Sequence, residues 1–193
     1  MKLAVVVGTT RGARKTLQQA KWVAKTAEAM DDVQVELVDL VDYPMPFFDE
    51  DISPRYNPNR QPKPEVKKWL DKITEFDAFV FVTAEYNHAP AAVLKNALDY
   101  VDWQFMHKPA AVVSHGSAAG ARAQVVLKEI LNESRLAVIP HGPAVSISGM
   151  SEIIDEEGNI SAEAAANPYG PQAGLVDLLK DLKWYSDALS AAR

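Results

Sequence analysis

The chain has 193 residues, 48% of them apolar and 24% charged, which is the length and make-up of one globular domain able to bury a sizeable core. It has no cysteine, which excludes a disulfide, a thiolate nucleophile, a cysteine-ligated zinc and an iron–sulfur cluster. The net charge of −6 is unevenly laid out: the first 27 residues hold six basic residues and no acid, leaving 14 basic and 26 acidic residues in the remainder. Such a chain is a poor general nucleic-acid binder, though its basic end can hold one anionic ligand.

Strand Leu3–Val7 is a short β-branched run ending at Gly8, and reads as buried on both faces. A helix is expected over Leu17–Met30, and an alternating second strand over Val33–Leu40. Residues 41–64 hold six of the twelve prolines and read as a long surface loop. Val66, Trp69, Leu70 and Ile73 fall on one face of a helix over Pro64–Glu75. Strands follow at Ala78–Val82, Ala110–Val113 and Ala144–Ile147, separated by helices over Ala91–Val101 and Arg122–Leu136, and a helix over Leu175–Leu189 closes the chain. Five apolar strands alternating with helices imply an α/β three-layer sandwich around a parallel sheet. Ligands of such folds sit at the carboxyl ends of the strands. The chain is expected to be a single domain over residues 1–193.

Three strand-end loops carry unusual residues. The first, Gly8 to Thr16, offers Thr9, Thr10 and Thr16 hydroxyls with Arg11 at a helix start, which suits a phosphate. It is neither a Walker A loop nor a G-x-G-x-x-G fingerprint. Arg14, Lys15, Arg55 and Arg60 read as surface charges, and Lys21 and Lys25 as solvent-facing. The second loop, Thr83 to Pro90, holds Glu85, Tyr86, Asn87 and His88. It reads equally as a helix cap or a ligand edge, with Tyr86 able to face a flat ring and His88 a surface or capping residue. The third, Ser114 to Arg122, has Gly116 and Gly120 beside a helix start, where a nest of N–H donors can form. His115 taken alone reads as structural. The four histidines show no metal-ligand spacing.

Together these loops resemble the NAD(P)H-dependent FMN reductases of flavodoxin-like fold, a group with quinone, azo-dye and chromate reductases. Gly8-Thr9-Thr10-Arg11 to Thr16 resembles the family's phosphate loop. Glu85-Tyr86-Asn87 with Pro90 and Leu94-Lys95-Asn96-Ala97-Leu98-Asp99 resembles its long central motif. Ser114-His115-Gly116 with Gly120-Ala121-Arg122 resembles its third loop, and Ile154 to Ile160 an acidic segment near its end. Ala84, Ala89 and Ala119 depart from the family's usual proline, serine and glycine.

The resemblance implies a five-stranded sheet in the order 2-1-3-4-5 and a bound FMN. Its phosphate would lie at Thr9, Arg11 and Thr16, and its ring against Glu85, Tyr86, Asn87 and the Ser114, His115, Gly116 and Ser117 loop. Hydride would pass from NAD(P)H to flavin N5 and then to an acceptor in ping-pong fashion, with no side chain as nucleophile and no metal. A flavodoxin-type electron carrier or a non-catalytic flavin-binding protein is the alternative. The resemblance also implies a homodimer or homotetramer. Tyr100, Trp103 and Phe105 then read either as core or as a dimer face on which Trp103 lines the partner's flavin site. The opening MKLAVVVGTT lacks the apolar length of a signal peptide, and no apolar run approaches the ~20 residues of a membrane span. A cytoplasmic enzyme with no nucleic-acid or membrane partner is expected.

Overall fold

The computed structural model describes residues 1–146, 149 and 152–193. Its elements run β1 (Lys2–Val7), α1 (Lys15–Glu28), β2 (Gln34–Asp39), α2 (Pro64–Thr74), β3 (Ala78–Tyr86), β4 (Ala89–Pro90), α3 (Ala92–Asp99), β5 (Pro109–Gly116), α4 (Ala121–Glu133), β6 (Ala137–Val138), β7 (Ala144–Ser146), α5 (Ala162–Ala166) and α6 (Pro171–Ala192). Short 3₁₀ turns occupy Leu40–Asp42, Pro54–Tyr56 and Trp103–Phe105.

The sheet follows the order β2-β1-β3-β5, all parallel, as the resemblance implied. The fifth position is divided. Strand β6 pairs with Pro109–Ala110 of β5, and β7 pairs further along with Ser114–Gly116. With β4 folded back antiparallel on the end of β3, the sheet counts seven strands rather than five. Pro140 and Pro143 lie between β6 and β7, where a continuous edge strand would need the ladder donors that proline lacks. Ile147, expected in the last strand, lies outside the described residues.

Alternate residues of each buried strand serve opposite cores. Ala4, Val6, Phe79, Phe81, Ala110 and Val112 face a layer that includes Trp69, Leu94 and Leu127 of α2, α3 and α4. Leu3, Val5, Val80, Val82, Ala111 and Val113 face Val23, Leu175 and Leu179 of α1 and α6. This two-sided burial is why the strands read as continuous apolar runs. Phe79 sits edge-on to Phe105 at a centroid distance of 4.9 Å and stacks on Phe81 at 5.8 Å. Tyr100 and Phe105 are therefore core, whereas Trp103, between them in sequence, is 62% exposed.

The proline-rich segment after β2 is tied to α3. The Asn96 Nδ2 donates to Pro46 O at 2.7 Å, and its Oδ1 accepts from Phe48 N at 2.9 Å. The Tyr100 hydroxyl donates to Phe47 O at 3.2 Å, and the Phe48 and Tyr100 rings meet at 5.2 Å. Arg60 grips both carboxylate oxygens of Glu50 at 2.8 Å and also donates to Tyr100 O. It is thus a half-buried tie and no surface charge.

Lys21 and Lys25 are also engaged. They donate to Glu156 O and Asn159 Oδ1, and so clamp onto α1 a hairpin closed by the Ile154–Ile160 bridge. Asp155 accepts from the main-chain N–H of Glu157 and of Asn159, so this acidic segment is an ordered turn as well as a charged surface.

Asn96→Ala leaves the Phe48 N–H without its side-chain acceptor and the Pro46 carbonyl with only the Tyr100 hydroxyl at 3.3 Å, which costs about 1–3 kcal/mol. Urea unfolding followed by circular dichroism reads this as a lower midpoint with an unchanged slope. An unchanged midpoint would show that the tie contributes nothing to stability.

Candidate functional site

Parallel pairing places the ends of β1, β3 and β5 on one edge of the sheet, with Val7 level with Val82 and Thr83 level with Ser114. Two strands run further than their apolar residues suggest. Strand β3 continues through Thr83–Tyr86 and β5 through Ser114–Gly116, so these residues are edge-of-sheet and not loop. They continue because their main-chain groups still find partners in the neighbouring strand, whatever the side-chain polarity. Asn87 and His88 then form a two-residue hairpin turn at φ 49° and 68°, the left-handed pair of a type I′ turn, before β4 returns. Both are exposed, and neither caps α3, whose N-cap is Ala91.

The loop from β1 to α1 carries exposed Thr10, Arg11, Gly12 and Ala13. Their main-chain N–H groups donate to no acceptor among the described residues. The α1 N-cap, Arg14, makes no side-chain cap, and the first turn of α1 has no acid. Arg14 is instead a strut: it pairs with Asp39 at the end of β2 and donates to Thr9 O at 3.2 Å. The Arg11 guanidinium lies 5.7 Å from the Tyr86 ring centroid, so the first and second loops meet there.

Beneath this shelf lies a buried layer. Thr9, Thr16 and Ser114 are fully buried and His115 is 3% exposed. Thr16 Oγ1 and His115 Nε2 are 2.8 Å apart, while Thr9 Oγ1 has no hydrogen-bond partner among the described residues. The Ser114 hydroxyl turns inward to Ala119 O at 3.4 Å. Gly116 and Gly120 let two backbones touch: a Cβ on Gly120, at φ +72°, would lie 2.7 Å from His115 N. Ser117 emerges at the surface.

Glu85 has a different task. Its Oε2 accepts from Arg122 N at 3.0 Å and Ala123 N at 3.2 Å, and Oε1 pairs with the Arg122 guanidinium at 3.2 Å. It caps α4 from a neighbouring strand. Burial works hardest against its charge, but the Ala123 N–H, the Arg122 guanidinium and the Arg122 N–H together outweigh it and hold its pKa below the usual carboxylate value.

The expected residues thus separate. Arg11, Tyr86, Asn87 and Ser117 sit on the accessible edge, while Thr9, Thr16, Ser114, His115 and Gly116 form the floor and Glu85 a strut. Sequence reasoning missed Arg14, Asp39 and Arg122 as supports. Among the described residues no cluster suits a metal, and no helix is long and apolar enough to cross a membrane.

Burial pushes the His115 imidazole down to about 4 from 6.5. The unfolded chain takes up this proton first, so the fold keeps its full stability above pH 6.5 and loses it as the pH falls towards 4. The loss reaches ~3 kcal/mol. His115→Gln removes it, and urea midpoints of the two proteins at pH 7 and pH 4.5 should converge in acid. A constant gap between them would refute this.

A model of the family described as NADPH-dependent FMN reductase matches residues 1–149. An NAD(P)H-dependent FMN reductase of Schizosaccharomyces pombe is 33% identical over 146 residues, covering 76% of this chain and 73% of that protein. An NADPH azoreductase of Bacillus sp. is 31% identical over 147 residues, covering 68% and 76%. Among solved structures, a flavoenzyme NAD(P)H:(acceptor) oxidoreductase from Paracoccus denitrificans superposes with a TM-score of 0.72 over 98% of this chain and 97% of its own, at 24% identity, a likeness of fold.

Proposed function

The chain belongs to the NADPH-dependent FMN reductase family, and from that membership we propose how its residues hold the flavin and serve its chemistry. The protein is an FMN-dependent NAD(P)H oxidoreductase. One observation supports the placement above all others. Arg11 lies over Tyr86 beside the free N–H groups of residues 10–13, so a cation, a helix start and an aromatic face share one edge. A phosphate needs the first two and a flat ring the third.

The residues fit FMN in other respects. A buried hydroxyl without a partner, that of Thr9, lies under the loop. The main chain at Gly120 comes so close to His115 that no Cβ is accommodated there. When bound, FMN takes hydride from NAD(P)H and passes electrons to a second substrate.

Arg11 and the α1 N-terminus hold the phosphate charge. Tyr86 and Asn87 border the ring on one side, and Gly116 and Ser117 on the other. Arg14 and Glu85 keep the two bordering loops in place through Asp39 and the start of α4. Donor and acceptor use the same open shelf in turn. The acceptor is a quinone, an azo compound, a free flavin or a metal ion. The same proposal includes a homodimer or homotetramer, supported by the exposure of Trp103 beside core residues.

Steady-state rates with NADPH and a quinone at several fixed concentrations should give parallel double-reciprocal lines, and intersecting lines would overturn the shared shelf. In the same preparations Arg11→Ala should bind FMN roughly 10–100-fold more weakly, the loss of a charge-assisted contact, as read by flavin fluorescence. Unchanged affinity would remove Arg11 from the site.

A further inference from the structure

Thr9, Thr16, Gln19 and His115 form a buried polar layer under the start of α1, each at most 3% exposed. Its hydrogen bonds do not balance. Gln19 Nε2 donates to Ser114 O at 3.1 Å, and His115 Nε2 meets Thr16 Oγ1 at 2.8 Å. Thr9 Oγ1, Gln19 Oε1 and His115 Nδ1 have no partner among the described residues.

A neutral imidazole carries one proton, and burial keeps His115 neutral at pH 7. A buried N–H without an acceptor is the rarer and costlier orphan, and a bare lone pair the more tolerable one. Each tautomer strands one donor within the chain: Nδ1–H where the Thr16 hydroxyl donates to Nε2, or the Thr16 hydroxyl where Nε2–H donates to Thr16 Oγ1. An acceptor at the start of α1 relieves the second, so the tautomer with the proton on Nε2 and the lone pair on Nδ1 is the one that goes with a bound anion. Thr16 then accepts from His115, so its own hydroxyl proton must go elsewhere. Thr9 likewise has a hydroxyl proton without an acceptor. Two hydroxyl donors lie under a loop whose N–H groups at residues 10–13 also lack an acceptor among the described residues. The group that satisfies these donors offers acceptors, and beside Arg11 it carries negative charge, as a phosphate monoester does; the lone pairs of Gln19 Oε1 and His115 Nδ1 stay bare, the more tolerable of the two kinds of orphan.

We propose that His115 is a positioning residue for the phosphorylated flavin, because its Nε2–H holds Thr16 Oγ1 so that the Thr16 hydroxyl donates to the phosphate. The inference rests on the placement of the phosphate at the first loop. His115 touches no substrate. Its influence is felt at the phosphate and not at the ring, so it acts on the choice between FMN and riboflavin.

Titration of the full-length, flavin-stripped chain with FMN and with riboflavin tests this. His115→Leu should weaken FMN binding about tenfold, as loss of one ordered donor implies, and leave riboflavin affinity within about twofold. His115→Gln, whose amide nitrogen takes the place of Nε2, should restore FMN affinity to within about threefold. In a Thr16→Val background, His115→Leu should add nothing. If the leucine variant does not fold, His115→Asn keeps the site polar but falls short of Thr16, and should lose the same FMN preference.

Equal losses for FMN and riboflavin would overturn the proposal, as would a glutamine variant as weak as the leucine one, or additive losses with Thr16→Val. A wild-type chain that binds FMN no better than riboflavin would remove the phosphate placement itself. A wild-type preference that survives His115→Leu would leave that placement standing and remove only the role of His115.

Discussion

Parallel strand pairing governs this molecule. Antiparallel partners would send alternate strand ends to opposite edges, whereas parallel partners must send them all to one. Strands β1, β3 and β5 therefore deliver Gly8, Thr83 and Ser114 to a common rim. Each return crossing needs a helix, and those helices seal both faces. The rim is then the natural place where main chain leaves the sheet with polar groups free, and the three loops with unusual residues all begin there.

The rim is held by side chains that, Thr16 apart, do not themselves need to meet a ligand. Arg14 links the first loop to β2 through Asp39. Glu85 links the hairpin after β3 to the start of α4. His115 and Thr16 link β5 to α1. Each joins elements that are not consecutive in the chain, so the three loops are fixed relative to one another rather than only to their own strands. The accessible residues, Arg11, Tyr86, Asn87 and Ser117, are thereby presented on a braced edge, which suits a site whose main task is to orient a bound group.

Much of this was legible in the residues. The runs LAVVV, AFVFV and AAVV are apolar on both faces because both faces are covered, and that pattern identified the parallel sheet and its carboxyl rim. Strand ends were less legible. Thr83 to Tyr86 and Ser114 to Gly116 are mostly polar or small, and main-chain partners in each other, in β4 and in β7 keep them extended. The split fifth position depended on where Pro140 and Pro143 fall relative to β5. Struts were least legible, since nothing local to Glu85 tells that its partners lie 37 and 38 residues on. For Thr16 and His115 the residue types were noticed, but their meeting 99 positions apart belongs to the topology.

The tip of the β3–β4 hairpin has an evolutionary consequence. Asn87 and His88 both adopt backbone angles that β-branched and bulky side chains tolerate poorly. Relatives that keep this two-residue turn can vary its tip only within a short alphabet of asparagine, aspartate, glycine and a few others. Diversity in what approaches the rim must then come from neighbouring exposed positions such as Thr10, Ala13, Ser117 and Ala118, whose backbones lie outside the left-handed region.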